Sequence, residues 1–229
     1  MSHVSQATPT THDLPFRPAD FATLTEALDY AAQGDTGSNF YTGRGAIYAS
    51  VTYAELREQA IELAHQLLGL GVSKGDRVAL VAETNPDFIR FFYACQYAGL
   101  IPVALPASVK VGAHQAYVAQ LKRLLQASDA AIGVACEGYL PFLQEASEDL
   151  SMVMVDAPEA FYALPADEQP LHDASPEDIS YIQYTSGSTR FPRGVVIKHA
   201  TALANLQAII SNGLEMNGED RMMSWLPFY

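Results

Sequence analysis

One stretch of the sequence gathers residue types that can hold an anion: Tyr184-Thr185-Ser186-Gly187-Ser188-Thr189-Arg190-Phe191-Pro192-Arg193-Gly194. Hydroxyl groups and the exposed N–H groups beside glycine can surround phosphate oxygens. Arg190 and Arg193 add positive charge, and Pro192 stiffens the segment bearing both. By composition alone the stretch reads first as a flexible Ser/Gly/Thr connection. Its position between two apolar runs tilts the reading towards a site. The spacing is not that of a Walker A loop, because counting from Gly187 puts Pro192 where the second glycine belongs. Nor is it GxGxxG.

Such a loop needs rigid flanks. Ile179 to Tyr184 and Gly194 to Lys198 are predicted strands, with a helix through Leu203, Leu206 and Ile210 after the second. Upstream, Phe21, Leu24, Leu28 and Ala31 recur at helical spacing before Gly34. Thr52 to Glu55 has the form of a capping box, which starts a helix through Leu56, Ala60, Leu63 and Leu67 towards Gly69 and Gly71. Arg77 to Ala82 reads as a buried strand. Asn85 can cap a helix with Pro86 in its first turn, followed by Phe88, Phe92, Cys95 and Ala98 or Gly99 at helical spacing. Ile101 to Leu105 is the next strand, Tyr117, Leu121, Leu124 and Leu125 mark a helix, and Ala131 to Ala135 is a strand. Tyr139 to Ala146 then predicts a short helix, and Met152 to Val155 and Met222 to Leu226 predict further strands. Strands separated by helices imply an α/β fold, with a mostly parallel sheet flanked by helices. Residues 156–176, rich in Pro, Asp and Glu, read as a surface connection and a candidate internal boundary, while residues 1–20 are expected to be a flexible N-terminus.

Composition narrows the partners. The chain has 229 residues, 49% apolar and 17% charged, as a packed globular fold requires. Its net charge of −13 disfavours non-specific attraction to nucleic acid or anionic membrane. The most apolar stretch, Phe91 to Pro106, falls short of the ~20 residues a membrane helix needs, so no membrane span is expected. Met1 to Pro15 lacks the basic start and apolar run of a secretory signal. Two cysteines, Cys95 and Cys136, form neither a CxxC motif nor a disulfide framework. A cytoplasmic location is expected.

The loop closely resembles the phosphate-binding motif of the adenylate-forming superfamily of acyl-CoA ligases, luciferases and peptide-synthetase adenylation domains. That motif reads Tyr-Thr-Ser-Gly-Ser-Thr-Gly-x-Pro-Lys-Gly-Val. Val51-Thr52-Tyr53-Ala54-Glu55-Leu56 is similar to the family's Thr-Tyr-x-Glu-Leu motif, and Tyr97-Ala98-Gly99-Leu100-Ile101-Pro102-Val103 to its Ala-Gly-x-x-x-Val-Pro region. The likeness spans about residues 21–229. Here Arg190 replaces a glycine and Arg193 a lysine. With Gln183 and the ending Trp225-Leu226-Pro227-Phe228-Tyr229, these departures most resemble the fatty-acyl-AMP ligases.

That resemblance implies an incomplete N-terminal AMP-binding domain over residues 21–229, the front of a longer ligase, inactive by itself. The reaction implied is attack of a fatty-acid carboxylate on the α-phosphate of ATP, with Mg2+, giving acyl-AMP and pyrophosphate. The acyl group then passes to an acyl carrier protein, or alternatively to coenzyme A. By similarity Thr185, Ser186, Gly187, Ser188, Thr189, Arg190, Arg193 and Gly194 bind the ATP phosphates, and Arg193 stands in for the family lysine. An amino-acid adenylation domain and a non-catalytic nucleotide- or partner-binding module are the other readings. His199 follows the second strand and reads as structural. His65, His114 and His172 read as surface residues, and Asp76, Glu83 and Asp87 as turn and cap residues. Trp225 and Tyr229 read either as borders of the acyl or adenine site or as a buried strand end.

Overall fold

The computed structural model describes residues 14–107, 113–185 and 192–229. Helix α1 (Leu24–Ala31) precedes a hairpin of β1 (Gly37–Tyr41) and β2 (Ile47–Thr52), then α2 (Tyr53–Leu68). An alternating run follows: β3 (Arg77–Val81), α3 (Pro86–Ala98), β4 (Ile101–Leu105), α4 (His114–Ser128), β5 (Ala130–Val134), α5 (Leu140–Ser147), β6 (Met154–Asp156). The last elements are α6 (Pro158–Tyr162), β7 (Ile179–Thr185), β8 (Arg193–Lys198) and α7 (His199–Ala208), which continues into a π-type turn at Ile209–Gly213.

Six strands form one sheet in the order β6-β5-β3-β4-β7-β8. Every pairing from β6 to β7 is parallel, as expected for strands joined by helical crossovers. Only β8 is antiparallel, because the polar loop after β7 returns the chain directly beside it. β3 lies at the centre with both faces covered. Val78 and Leu80 pack with α2 and α3, whereas Ala79 and Val81 pack with α4 and α5.

Local signals set several boundaries. Thr52 Oγ1 accepts from the Glu55 N–H at 3.1 Å while Glu55 accepts from the Thr52 N–H at 2.8 Å, so the capping box starts α2 where the sequence places it. Asn85 Oδ1 accepts from the Phe88 N–H at 2.9 Å, with Pro86 in the first turn of α3. Gly99 ends that helix at φ +70°, a left-handed conformation that glycine adopts without strain.

Three regions differ from the sequence reading. The β1–β2 hairpin has no counterpart in the strands that the sequence predicts. Residues 156–176 contain α6, and Phe161 is fully buried edge-on against Phe91 at a centroid distance of 5.4 Å. Gln66 Nε2 fastens the same segment by donating to the carbonyls of Tyr162 and Leu164 at 2.9 and 3.2 Å. Finally, Met222 to Leu226 is not a strand: it is irregular, and Trp225 is 87% exposed. A strand requires a hydrogen-bonded neighbour, and among the described residues this segment has none. No helix among them is long and apolar enough to cross a membrane.

Candidate functional site

The sheet order creates a divergence point. From β3 the chain crosses to β4 on one side, and from β4 it returns over β3 to β5 on the other. The two crossover helices, α3 and α4, therefore cover opposite faces and leave a crevice outside the carboxyl ends of β3 and β4. β7 runs parallel to β4 and opens at that same edge. The sheet thus brings Thr185, at the end of β7, to the edge where this architecture commonly binds ligands.

Thr185 and Arg193 are the last paired residues of the β7–β8 hairpin, and both are exposed. Gly194 pairs with Tyr184 one step below. Ser186, Gly187, Ser188, Thr189 and Arg190 lie outside the described residues. The structure therefore shows only the two ends of this loop, Thr185 and Arg193-Gly194.

Residues that the sequence reading set aside, or did not single out, meet at this edge. Glu83 follows β3 and has a buried Oε2 with no hydrogen-bond partner among the described residues. Asn85 Nδ2 donates to Cys136 Sγ at 3.2 Å. Burial, then the nearby Glu83 carboxylate, push the Cys136 thiol up to about 12, which keeps it protonated at neutral pH. The Tyr117 hydroxyl donates to the Pro106 carbonyl at 2.6 Å and that of Tyr139 to the Ala107 carbonyl at 2.9 Å, pinning the exit of β4. Burial raises both phenols, and neighbouring ionisable groups, Tyr139 for Tyr117 and Glu83 for both, raise them further. Phe228 stacks on Phe88 at the start of α3, with centroids 4.9 Å apart. Of the two residues weighed as borders of a site, Tyr229 is 38% exposed next to Phe228, and the Trp225 side chain points into solvent. Neither sits in a buried strand. The signals for Glu83, Tyr117 and Tyr139 are invisible along the chain because three separate crossovers bring them together.

The histidines and carboxylates sort differently. His199 is buried, and its Nδ1 accepts from the Leu24 N–H at 3.1 Å. Burial lowers its pKa, so it is a neutral joint between α1 and α7. It follows β8, roughly 17 Å from the loop at strand spacing, and cannot act there. His172 is not a surface residue: its side chain is 20% exposed and its Nε2 lies 2.8 Å from Asp178 Oδ2. Asp178 also pairs with Lys74 at 2.9 Å and accepts from the Ser175 N–H at 2.9 Å. Burial opposes its charge, but these partners outweigh burial and hold the carboxyl well below the usual range. His65 has a buried Nδ1 without a partner among the described residues, and His114 contacts Glu145 at 2.5 Å on the surface. Asp76 accepts from the Ser73 N–H at 2.8 Å as a turn residue, whereas Asp87 pairs with Arg90 at 2.7 Å.

Among the described residues no group of three or more His, Cys, Asp or Glu is arranged to hold a metal ion. Magnesium bound with a nucleotide takes most of its ligands from phosphate and water, so the carboxyl edge needs no metal cage of its own to accept it.

The profile of the family described as AMP-binding enzyme matches residues 29–229. A Caulobacter vibrioides protein, provisionally named acyl-CoA synthetase, is 43% identical over 227 residues, covering 97% of this chain and 38% of that protein. A long-chain fatty-acid AMP ligase of Mycolicibacterium smegmatis is 31% identical over 197 residues, covering 83% of this chain and 30% of the ligase. A solved structure from work on fatty acyl-adenylate ligases of E. coli and L. pneumophila superposes with a TM-score of 0.89 at 44% identity, covering 94% of this chain and 39% of that one. The chain thus spans between 30% and 39% of the length of these three relatives.

Proposed function

Since the chain belongs to the AMP-binding enzyme family, we propose that it is the ATP-facing front of a fatty-acyl-AMP ligase, the incomplete N-terminal domain of a longer cytoplasmic enzyme. The observation that carries this reading is the β7–β8 hairpin, which opens a hydroxyl- and glycine-rich loop at the carboxyl edge of the sheet. Fatty-acid ligases among the relatives support the substrate class.

In the proposed reaction a fatty-acid carboxylate oxygen bonds to the α-phosphorus of ATP, and the bond to the leaving pyrophosphate breaks. Two anions must meet, so positioned N–H donors and cations supply most of the catalysis. Thr185, Ser186, Gly187, Ser188, Thr189 and Gly194 line the loop for the β- and γ-phosphates, with Arg190 and Arg193 neutralising charge. Arginine stays protonated and can bind phosphate through two N–H groups, so Arg193 preserves the charge of a lysine with different geometry. Magnesium, bound with ATP, supplies further neutralisation. The crevice tyrosines and the Cys136 thiol hold their protons and serve as walls. Residues 1–229 alone are proposed not to turn over.

The acyl acceptor is proposed to be the phosphopantetheine thiol of an acyl carrier protein rather than free coenzyme A, on the strength of Gln183, Arg190 and the Trp225–Tyr229 ending. Protein from the complete reading frame, loaded with acyl-AMP, is offered the carrier protein or coenzyme A in parallel. Acylated carrier is the expected product; efficient acyl-CoA formation without it would replace this reading with an acyl-CoA ligase.

A further inference from the structure

Tyr184 is the last residue before the loop whose side chain turns back into the fold. Its ring joins the cluster that α4 builds from Tyr117, Leu121, Leu124 and Leu125. Its hydroxyl donates to the Leu124 carbonyl at 2.9 Å, and the Ser128 hydroxyl donates to that same carbonyl at 2.8 Å. Across the hairpin Tyr184 is paired with Gly194. A Cβ added to Gly194 would stand 3.3 Å from Tyr184 Cε1 and 3.1 Å from Ile182 Cγ2. Gly194 has no positive φ, so its backbone does not demand glycine. The close approach of Ile182 and then of the Tyr184 ring leaves little room for a side chain there.

The hairpin has few other holds on this face. Among the described residues β8 pairs only with β7, and Arg193 to Val196 are all exposed. α4 is also the helix whose Tyr117 hydroxyl pins the exit of β4, the strand beside β7. One helix therefore fixes both strand exits at the crevice.

We propose that Tyr184 is a positioning residue: it ties the root of the phosphate loop to α4 through the Leu124 carbonyl, and Gly194 is kept bare to admit its ring. What the loop binds is taken from the function proposed above; the tie itself is independent of it.

The experiment compares wild type, Tyr184→Phe and Gly194→Ala with two readouts. Amide hydrogen exchange on the 229-residue chain follows Thr185 and Arg193 to Val195, with β3 and β5 as internal references. Fatty-acid-dependent exchange of pyrophosphate into ATP, on protein from the complete reading frame, gives separate KM values for ATP and fatty acid. Losing one neutral hydrogen bond corresponds to roughly a fivefold change in an equilibrium. The expected result is about fivefold faster amide exchange at the hairpin root alone in Tyr184→Phe. ATP KM rises by a similar factor with fatty-acid KM unchanged, and Gly194→Ala moves both readouts the same way. Unchanged amide exchange at the root in both variants overturns the tie. Acceleration spread equally through β3 and β5, or a local acceleration with no change in ATP KM, makes Tyr184 merely structural and also overturns the proposal. If wild type adenylates no fatty acid, the proposed function falls, and the amide readout still decides the tie.

Discussion

Replacing Phe161 by alanine should destabilise the chain by about 4 kcal/mol, although the residue lies in a stretch whose composition reads as a surface connection. Phe161 is fully buried, its ring meets Phe91 edge-on, and Tyr162 beside it accepts from Arg90 and donates to Asp87. Truncating a buried phenylalanine costs roughly 3–5 kcal/mol through lost transfer energy and the cavity left behind. For a domain of this size each kcal/mol moves the thermal midpoint by about 2–4 °C, so a fall on the order of 10 °C is expected. Urea unfolding of the 229-residue chain followed by circular dichroism measures the free energy, with the exposed Val153→Ala as a control within about 0.5 kcal/mol. A loss below about 1 kcal/mol for Phe161→Ala would show that α6 is not part of the core.

Asp178→Asn should cost about 2 kcal/mol at pH 7, the worth of a charge-assisted hydrogen-bond set. The folded carboxyl titrates below its unfolded value of about 3.9, so its stabilisation is present above that pH and fades as pH falls towards the folded value. The variant's stability should therefore decline less steeply below pH 4, and parallel acid-unfolding curves for the two proteins would refute the linkage. Arg193→Ala in protein from the complete reading frame should slow acyl-AMP formation by about 30-fold, the equivalent of roughly 2 kcal/mol, and Arg190→Ala by less. Equal and negligible losses in single-turnover measurements would return both arginines to surface roles.

Much of the fold is written in local chemistry. The Thr52–Glu55 box and the Asn85-Pro86 start each depend on residues within a few positions, and both appear where the sequence puts them. The β1–β2 hairpin escaped because its strands are largely exposed and lack a clean alternation, with Phe40 alone fully buried in the first. α6 escaped because five residues and one decisive buried ring give no helical period. The apolar run at Met222 to Leu226 misled in the opposite sense, since hydrophobicity suggests a strand but pairing makes one. At the site, the two strands that flank the loop were legible from their apolar runs. Its surroundings were not: Glu83, Tyr117, Tyr139 and Cys136 come from the ends of different crossovers, and only the sheet order places them together. His172 shows the same limit, because Lys74, which shares its carboxylate partner, is far away in sequence.

Fatty-acid-dependent exchange of labelled pyrophosphate into ATP tests the central claim most directly. Protein from the complete reading frame is incubated with ATP, magnesium, pyrophosphate and either a long-chain fatty acid or a mixture of amino acids, with residues 1–229 assayed alongside. The account expects label in ATP only with the fatty acid, and none from residues 1–229 alone. Exchange driven by amino acids, or none with any fatty acid, would contradict it.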